Sequence, residues 1–313
     1  MRGTFYSVHF RRGLTLIDVL VVVFVCVMLI GVTAGVAGRS RETANRVKCA
    51  SNLRQIGQAL LLYANENRGL YPMTQWDQLD PTPRAYTGAM AINPFASNGP
   101  SPNDVTAMMF LLLRTQDISA EVFTCPYGYA ERWDYNGNAG GALAFSNFPD
   151  GRYVSYSMHN PYVGQAMAEK YKWNNTLAPD FIVAADINPG VPELLTTPST
   201  APRNALKKLN SPNHAADGQN FLGGDGHAEF VVTPYAGIGK DNMYTFGGPG
   251  QNPGIQGPPV SQEDSILLPV ATVIPPLIGE VSSRTMAIVI ASLVLAMIAF
   301  LAALFYRREV KNV

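Results

Sequence analysis

Two long apolar runs stand near the ends of this chain, with a polar, patterned stretch between them. Residues 14–37 carry a single charge, Asp18, and residues 285–306 carry none. A helix rises about 1.5 Å per residue, so about 20 residues cross a ~30 Å hydrocarbon core, and both runs are long enough to span. Beyond the first run, Val47, Ala50, Leu53, Ile56, Leu60 and Ala64 recur at three- and four-residue steps. Arg46, Asn52, Arg54, Gln58 and Asn65 fall between them. This spacing predicts one helix over 14–67, apolar all round at first and amphipathic afterwards, stopped by Gly69 and Pro72. The amphipathic half needs a sheet or other helices to cover it.

The middle of the chain reads as an antiparallel sheet. Residues 152–158 alternate as a strand, and 181–185 form a short apolar run ended by Asp186. Segments 219–222 and 227–232 flank Gly223-Gly224-Asp225-Gly226, a hairpin turn signal in which Gly226 accepts a positive φ. Residues 76–102 and 133–150 are rich in Gly, Pro and Asn and read as long surface loops. From Gly247 to Pro259, nine of 13 residues are Gly or Pro, so 234–284 reads as a linker to the second apolar run. The expected fold class is α+β: a long N-terminal helix of two halves, a globular part over 69–233, the linker, and a C-terminal transmembrane helix over 285–306.

Composition adds exclusions. Of 313 residues, 23 are basic and 23 acidic, and zero net charge argues against a nucleic-acid partner, which needs a basic face. Three cysteines are too few for a disulfide scaffold. Cys26 lies in the first apolar run, leaving Cys49 and Cys125 to form a bridge or to stand as two separate buried thiols. An ordinary secretory signal is the bland alternative for the first run. The run exceeds the 7–15 apolar residues usual for one, and Asp18 has no purpose there. The second run is flanked by Arg284 on one side and Arg307, Arg308 and Lys311 on the other, as a stop-transfer helix requires.

Arg11-Arg12-Gly13-Leu14-Thr15-Leu16-Ile17-Asp18-Val19-Leu20 resembles the type IV prepilin processing motif. That resemblance implies a leader over 1–13, cut by a prepilin peptidase between Gly13 and Leu14, with N-methylation of Leu14. Arg2, Arg11 and Arg12 hold the leader in the cytoplasm. The family's fifth mature residue is usually Glu. Here Asp18 keeps the charge one methylene shorter, either to pair with a neighbouring subunit's N-terminal amine during assembly or as a first-turn acid favoured by the helix dipole. Leu14 replaces the usual Phe.

Three further segments extend the resemblance. Cys49-Ala50-Ser51-Asn52-Leu53-Arg54-Gln55-Ile56-Gly57 is similar to a segment of bacterial pseudopilin-like proteins of the DUF1559 kind. Val122-Phe123-Thr124-Cys125-Pro126 resembles their Phe-x-Cys-Pro segment. His214, separated by ten residues from Asp225-Gly226, resembles their His…Asp-Gly signature, with one residue more than the usual spacing. The family implies a pilin-like fold and a non-catalytic subunit of a type II secretion or type IV pilus-like assembly. It also implies placement in the bacterial inner membrane with the globular part periplasmic. The expected partners are prepilin peptidase, other pseudopilin subunits or secretion-system inner-membrane components, and membrane lipid. Gly31, Ala34, Gly35 and Gly38 would let helices approach closely in the membrane.

Other chemistry is sparse. His214, Asp217, Asp225 and His227 cluster in sequence, but their spacing is not that of a zinc motif, and Asp225-Gly226 has a structural use in the turn. Related secretion pseudopilins hold calcium in a C-terminal loop. Asp180, Asp186, Asp217 and Asp225 are the candidates for such a site, without EF-hand spacing. Trp76, Trp133, Tyr135 and Trp173 could mark a ligand surface, although aromatics are more often core. No Gly-x-Ser-x-Gly, P-loop or Cys-x-x-Cys occurs, so no enzyme is expected. Two rival classes stand beside the pseudopilin reading. One is a dually anchored, non-filamentous envelope protein displaying a binding domain; the other is a metal-dependent enzyme that needs His214 and His227 to converge. Both chain ends are expected in the cytoplasm, with 38–284 outside.

Overall fold

A computed structural model describes residues 16–272 and, in the first part of the N-terminal helix, only the side chains of 19–26 and 28. Gly13, Leu14 and 285–306 therefore lie outside the described residues, as does the side chain of Asp18. Among the described residues no helix is long and apolar enough to cross a membrane. Residues 42–272 belong to one compact unit, and the helix before Glu42 belongs to another.

Helix α1 runs unbroken from Leu16 to Glu66. It ends where Gly69, at φ 85°, returns its N–H to Ala64 O at 2.8 Å, a conformation a side chain would resist. Leu53, Ile56, Leu60 and Ala64 are fully buried, while Val47 is exposed, so the packed face begins at Cys49.

A five-stranded antiparallel sheet has the order β4-β3-β2-β1-β5. Its strands are β1 (Tyr156–His159), β2 (Ile182–Asp186), β3 (Gln219–Gly223), β4 (Ala228–Val231) and β5 (Leu267–Leu268). Leu53, Ile56 and Leu60 of α1 share a core with Tyr156, Met158, Val183, Ala184 and Leu222 on one face. Contact is close because Gly57 offers no side chain: a Cβ there would sit 3.1 Å from Leu222 Cδ1. The same core takes in α2 (Val105–Thr115), which is capped by the buried Asp104. Asp104 Oδ1 accepts from Ala107 N at 2.8 Å, and Oδ2 accepts from Thr87 N and Asn147 Nδ2.

The opposite face carries its own cluster: Ile182, Ala185 and Phe221 meet Leu194, Leu209, Met243, Tyr244 and Leu267. This corrects the expected linker over 234–284. Up to residue 272 that stretch is packed, because a sheet apolar on both faces needs a second cover and 234–268 supplies part of it. Gly and Pro there shape turns between buried anchors such as Tyr244, whose hydroxyl donates to Asp186 O at 2.9 Å. Two smaller corrections follow. The segment 152–158 enters as a 3₁₀ turn (Gly151–Tyr153), with strand only from Tyr156. The expected surface loop 133–150 buries Trp133 and Phe148 against Phe110, and Phe145 against Trp133.

Candidate functional site

The richest polar chemistry lies under the packed half of α1. Cys49 on α1 and Cys125, just past a 3₁₀ turn (Ala120–Phe123), form a disulfide with Cα atoms 5.5 Å apart. Cys26 is a free cysteine. Beside the bridge stands His214, with Nε2 3.7 Å from Cys125 Sγ. Its ring is wholly buried, stacked on Tyr127 at 5.9 Å and met edge-on by Phe230.

The turn that places this ring is strained. His214, Ala215 and Ala216 all have φ between 54° and 57°, a left-handed run that costs non-glycine residues on the order of 1 kcal/mol or more each. Sequence around it holds the turn in place. Asn213 Nδ2 donates to Ser155 O and Asp186 Oδ1, both at 3.0 Å, and Asn210 Nδ2 donates to Ala216 O at 3.0 Å.

Asp186 closes β2 and is fully buried. Its Oδ2 accepts from Asn220 N at 2.6 Å and from Asn220 Nδ2 at 3.3 Å, and lies 3.6 Å from His214 Nε2. Burial still lifts this carboxyl above the usual carboxylate range, against His214 and the asparagine donors. Asn220 Nδ2 also reaches His214 Nε2 at 3.3 Å. Because an amide N–H can only donate, Nε2 is the accepting nitrogen, and Nδ1 carries the proton toward Glu42 Oε1, 3.3 Å away. Four donor atoms, from Cys49, Cys125, Asp186 and His214, lie within 4.8 Å of one another.

The other expected site residues separate. His227 Nδ1 pairs with Asp225 Oδ1 at 2.5 Å in the β3–β4 turn, where Asp225 also caps His227 N and Gly226 takes φ 87°. His227 is thus on the hairpin and not at the His214 cluster, so the two histidines do not converge. Asp217 is held by Lys207 Nζ at 2.6 Å and Arg46 Nη2 at 3.2 Å. With Asp186 among asparagines, Asp217 between cations and Asp225 on its own histidine, the expected calcium set is not assembled. Calcium wants six to eight oxygens on one ion.

Trp133 is core, among Phe110, Phe145 and Tyr153. Trp76 and Trp173 line a groove with Tyr63, Tyr71 and Tyr171. Their indole N–H groups are already used inside the fold, on Val163 O at 3.0 Å and Pro72 O at 3.1 Å.

Glu42, Asn213 and Asn220 were not singled out by sequence reasoning as site residues. Their signal was faint: Asn213 immediately precedes His214 and Asn220 lies between His214 and Asp225-Gly226, but nothing in a linear pattern joins them to Asp186. No family model, curated protein or solved structure matches the chain.

Proposed function

We propose that this chain is a membrane-anchored, pseudopilin-like structural protein of a type II secretion or type IV pilus-like assembly, with a pilin-like fold and no active site. Prepilin peptidase cuts it after Gly13, and Leu14 becomes the methylated N-terminus. The observation that carries this reading is the change of character along one helix. In α1, Val19, Leu20, Val21, Val22, Phe24 and Val25 are all at least 45% exposed. Successive residues turn about 100°, so these side chains point in every direction, an arrangement suited to lipid and to neighbouring helices and not to water. From Cys49 onward the same helix buries one face on a sheet. One continuous helix serving first as anchor and then as spine is the architecture the processing motif implies. The buried cluster behind it fastens helix to sheet.

The test is the N-terminus of membrane-extracted protein, by intact mass and terminal sequencing. A start at Leu14 carrying a methyl group is expected, and Gly13→Val should leave the leader in place. A start at Met1, or at Arg39 or beyond, sinks the reading. The second apolar run, 285–306, favours one alternative: a protein anchored at both ends that never enters a filament. Sheared surface filaments that contain this chain support the assembly subunit. Filaments that lack it, with the chain retained in the membrane, support the dual anchor.

A further inference from the structure

We infer that, when the Cys49–Cys125 bond is reduced, the cluster beneath α1 becomes a four-coordinate Zn²⁺ site formed by Cys49 Sγ, Cys125 Sγ, His214 Nε2 and Asp186 Oδ2. Zinc bonds of about 2.0–2.3 Å at a tetrahedral centre place neighbouring ligand atoms about 3.3–3.8 Å apart. His214 Nε2 already stands 3.7 Å from Cys125 Sγ and 3.6 Å from Asp186 Oδ2, each the length of such an edge. All four donors lie within 4.8 Å of one another and all four residues are buried. Breaking the S–S bond lets the two sulfurs move apart to the length of such an edge.

The surroundings prepare the ligands. A zinc-binding histidine must offer an unprotonated nitrogen, and Asn220 Nδ2 at 3.3 Å selects Nε2 for that role. Its other nitrogen, Nδ1, is buried without a hydrogen bond of good geometry, and so is Glu42 Oε2. Glu42 Oε1 lies 3.3 Å from Nδ1, where a carboxylate orients a metal-bound imidazole and strengthens it as a ligand. Asn213 holds Asp186 Oδ1, leaving Oδ2 turned toward the histidine. Two thiolates, one imidazole and one carboxylate form a soft donor set for Zn²⁺ in which the two thiolates match the charge of the ion; a hard cation such as Ca²⁺ would find a single carboxylate.

The chemistry balances with a dithiol as reductant. It gives two electrons and two protons to the bridge and closes its own disulfide, leaving Cys49 and Cys125 as thiols. Zn²⁺ then displaces both thiol protons. The oxidised site offers no thiolate and does not bind. The tie between α1 and the segment at Cys125 is therefore made by a metal in the reduced chain and by a covalent bond in the oxidised one.

The test uses the full chain in detergent, oxidised or dithiol-reduced under inert gas, incubated with Zn²⁺ or Co²⁺ and desalted. One metal per reduced chain is expected, and none on the oxidised chain. The Co²⁺ form should show thiolate-to-cobalt charge transfer and tetrahedral visible bands. Cys125→Ser should abolish the charge-transfer pattern of two thiolates. Glu42→Gln, which keeps the shape of the side chain and removes its charge, should weaken binding about 10- to 100-fold. Far-UV circular dichroism separates unfolding from loss of the site. The inference is overturned if the reduced chain stays folded without binding metal. It is equally overturned if reduction unfolds the chain beyond rescue by Zn²⁺, if the oxidised chain binds equally, or if bound Co²⁺ shows no thiolate band.

Discussion

Asn52 Nδ2 donates to the carbonyl oxygen of Thr124 at 2.9 Å, joining α1 to the residue just before the disulfide partner Cys125. The same amide reaches Tyr156 Oη on β1 at 3.2 Å, and Asn52 is 2% exposed. One buried side chain thus ties the helix to the 3₁₀ segment and to the sheet, one turn beyond Cys49. Asn52→Ala leaves the buried Tyr156 hydroxyl and the half-buried Thr124 carbonyl without this partner and should cost about 1–3 kcal/mol. Cys49→Ser opens a cross-link across 76 residues and should cost about 2–4 kcal/mol. Because the two ties lie side by side, the double variant should not show the sum. Denaturant titration of the detergent-solubilised chain measures all three, and strict additivity would contradict the shared role.

Gly57 predicts a size threshold. A Cβ there meets Leu222 Cδ1 at 3.1 Å and Cδ2 at 3.2 Å, and both atoms can shift. Gly57→Ala also gains about 1 kcal/mol of helix propensity, so it should fall within about 1 kcal/mol of the native protein. Gly57→Leu cannot be absorbed by a rotamer change and should destabilise by about 1–3 kcal/mol. Equal behaviour of the two variants in thermal melts would disprove close contact at this point.

Asp186 is the hub of the asparagine network. Asp186→Ala removes one of the two acceptors of Asn213 Nδ2 and the acceptor of Asn220 N in a fully buried place. The expected loss is about 2–4 kcal/mol. Amide hydrogen exchange should localise the loosening to β2, β3 and the turn at His214; uniform loosening of the whole domain would argue against a local hub.

Acidity should stabilise the region around Asp241. Burial, with the charge of Asp264 beside it, raises the Asp241 carboxyl to about 7. Its folded pKa lies above the ordinary carboxylate value, so the folded state holds a proton that the unfolded state has lost. This contribution is present at low pH and fades as pH rises from about 4 to about 7. Asp241→Asn keeps an acceptor for Ser265 N, which donates to Oδ2 at 3.0 Å, and removes the charge. The variant should be more stable than the native chain at pH 7.5, with the gap closing as pH falls toward about 4. A variant that melts lower at pH 7.5 contradicts this.

The sequence was informative where a one-dimensional period maps onto one face. The steps Leu53, Ile56, Leu60 and Ala64 are the buried face of α1, and the Gly223–Gly226 signal lies at the connection of β3 and β4. It was silent on α2, because nine consecutive residues of Val105–Thr115 are buried and a helix covered all round has no polar stripe to reveal its period. Only Asp104, a capping residue ahead of an apolar run, could have signalled it. Residues 234–272 misled for the opposite reason: frequent Gly and Pro masked Met243, Tyr244 and 266–268, which are anchors spaced too irregularly to show any period. The cluster at His214 was hidden because Cys49, Cys125, Asp186 and Asn220 are brought together only by the packing of α1 over β2 and β3.

The position of the cross-link has a mechanical consequence. Cys49 is the first buried residue of α1 among the described residues, so tension applied along the helix from its N-terminal side reaches the covalent bond before it reaches Leu53, Ile56 or Leu60. The apolar contacts behind it are sheltered from that load. With the bond intact, a force sensor pulling the helix out should register a stiff element first; with the bond reduced, the same pull should peel the helix away from the sheet turn by turn.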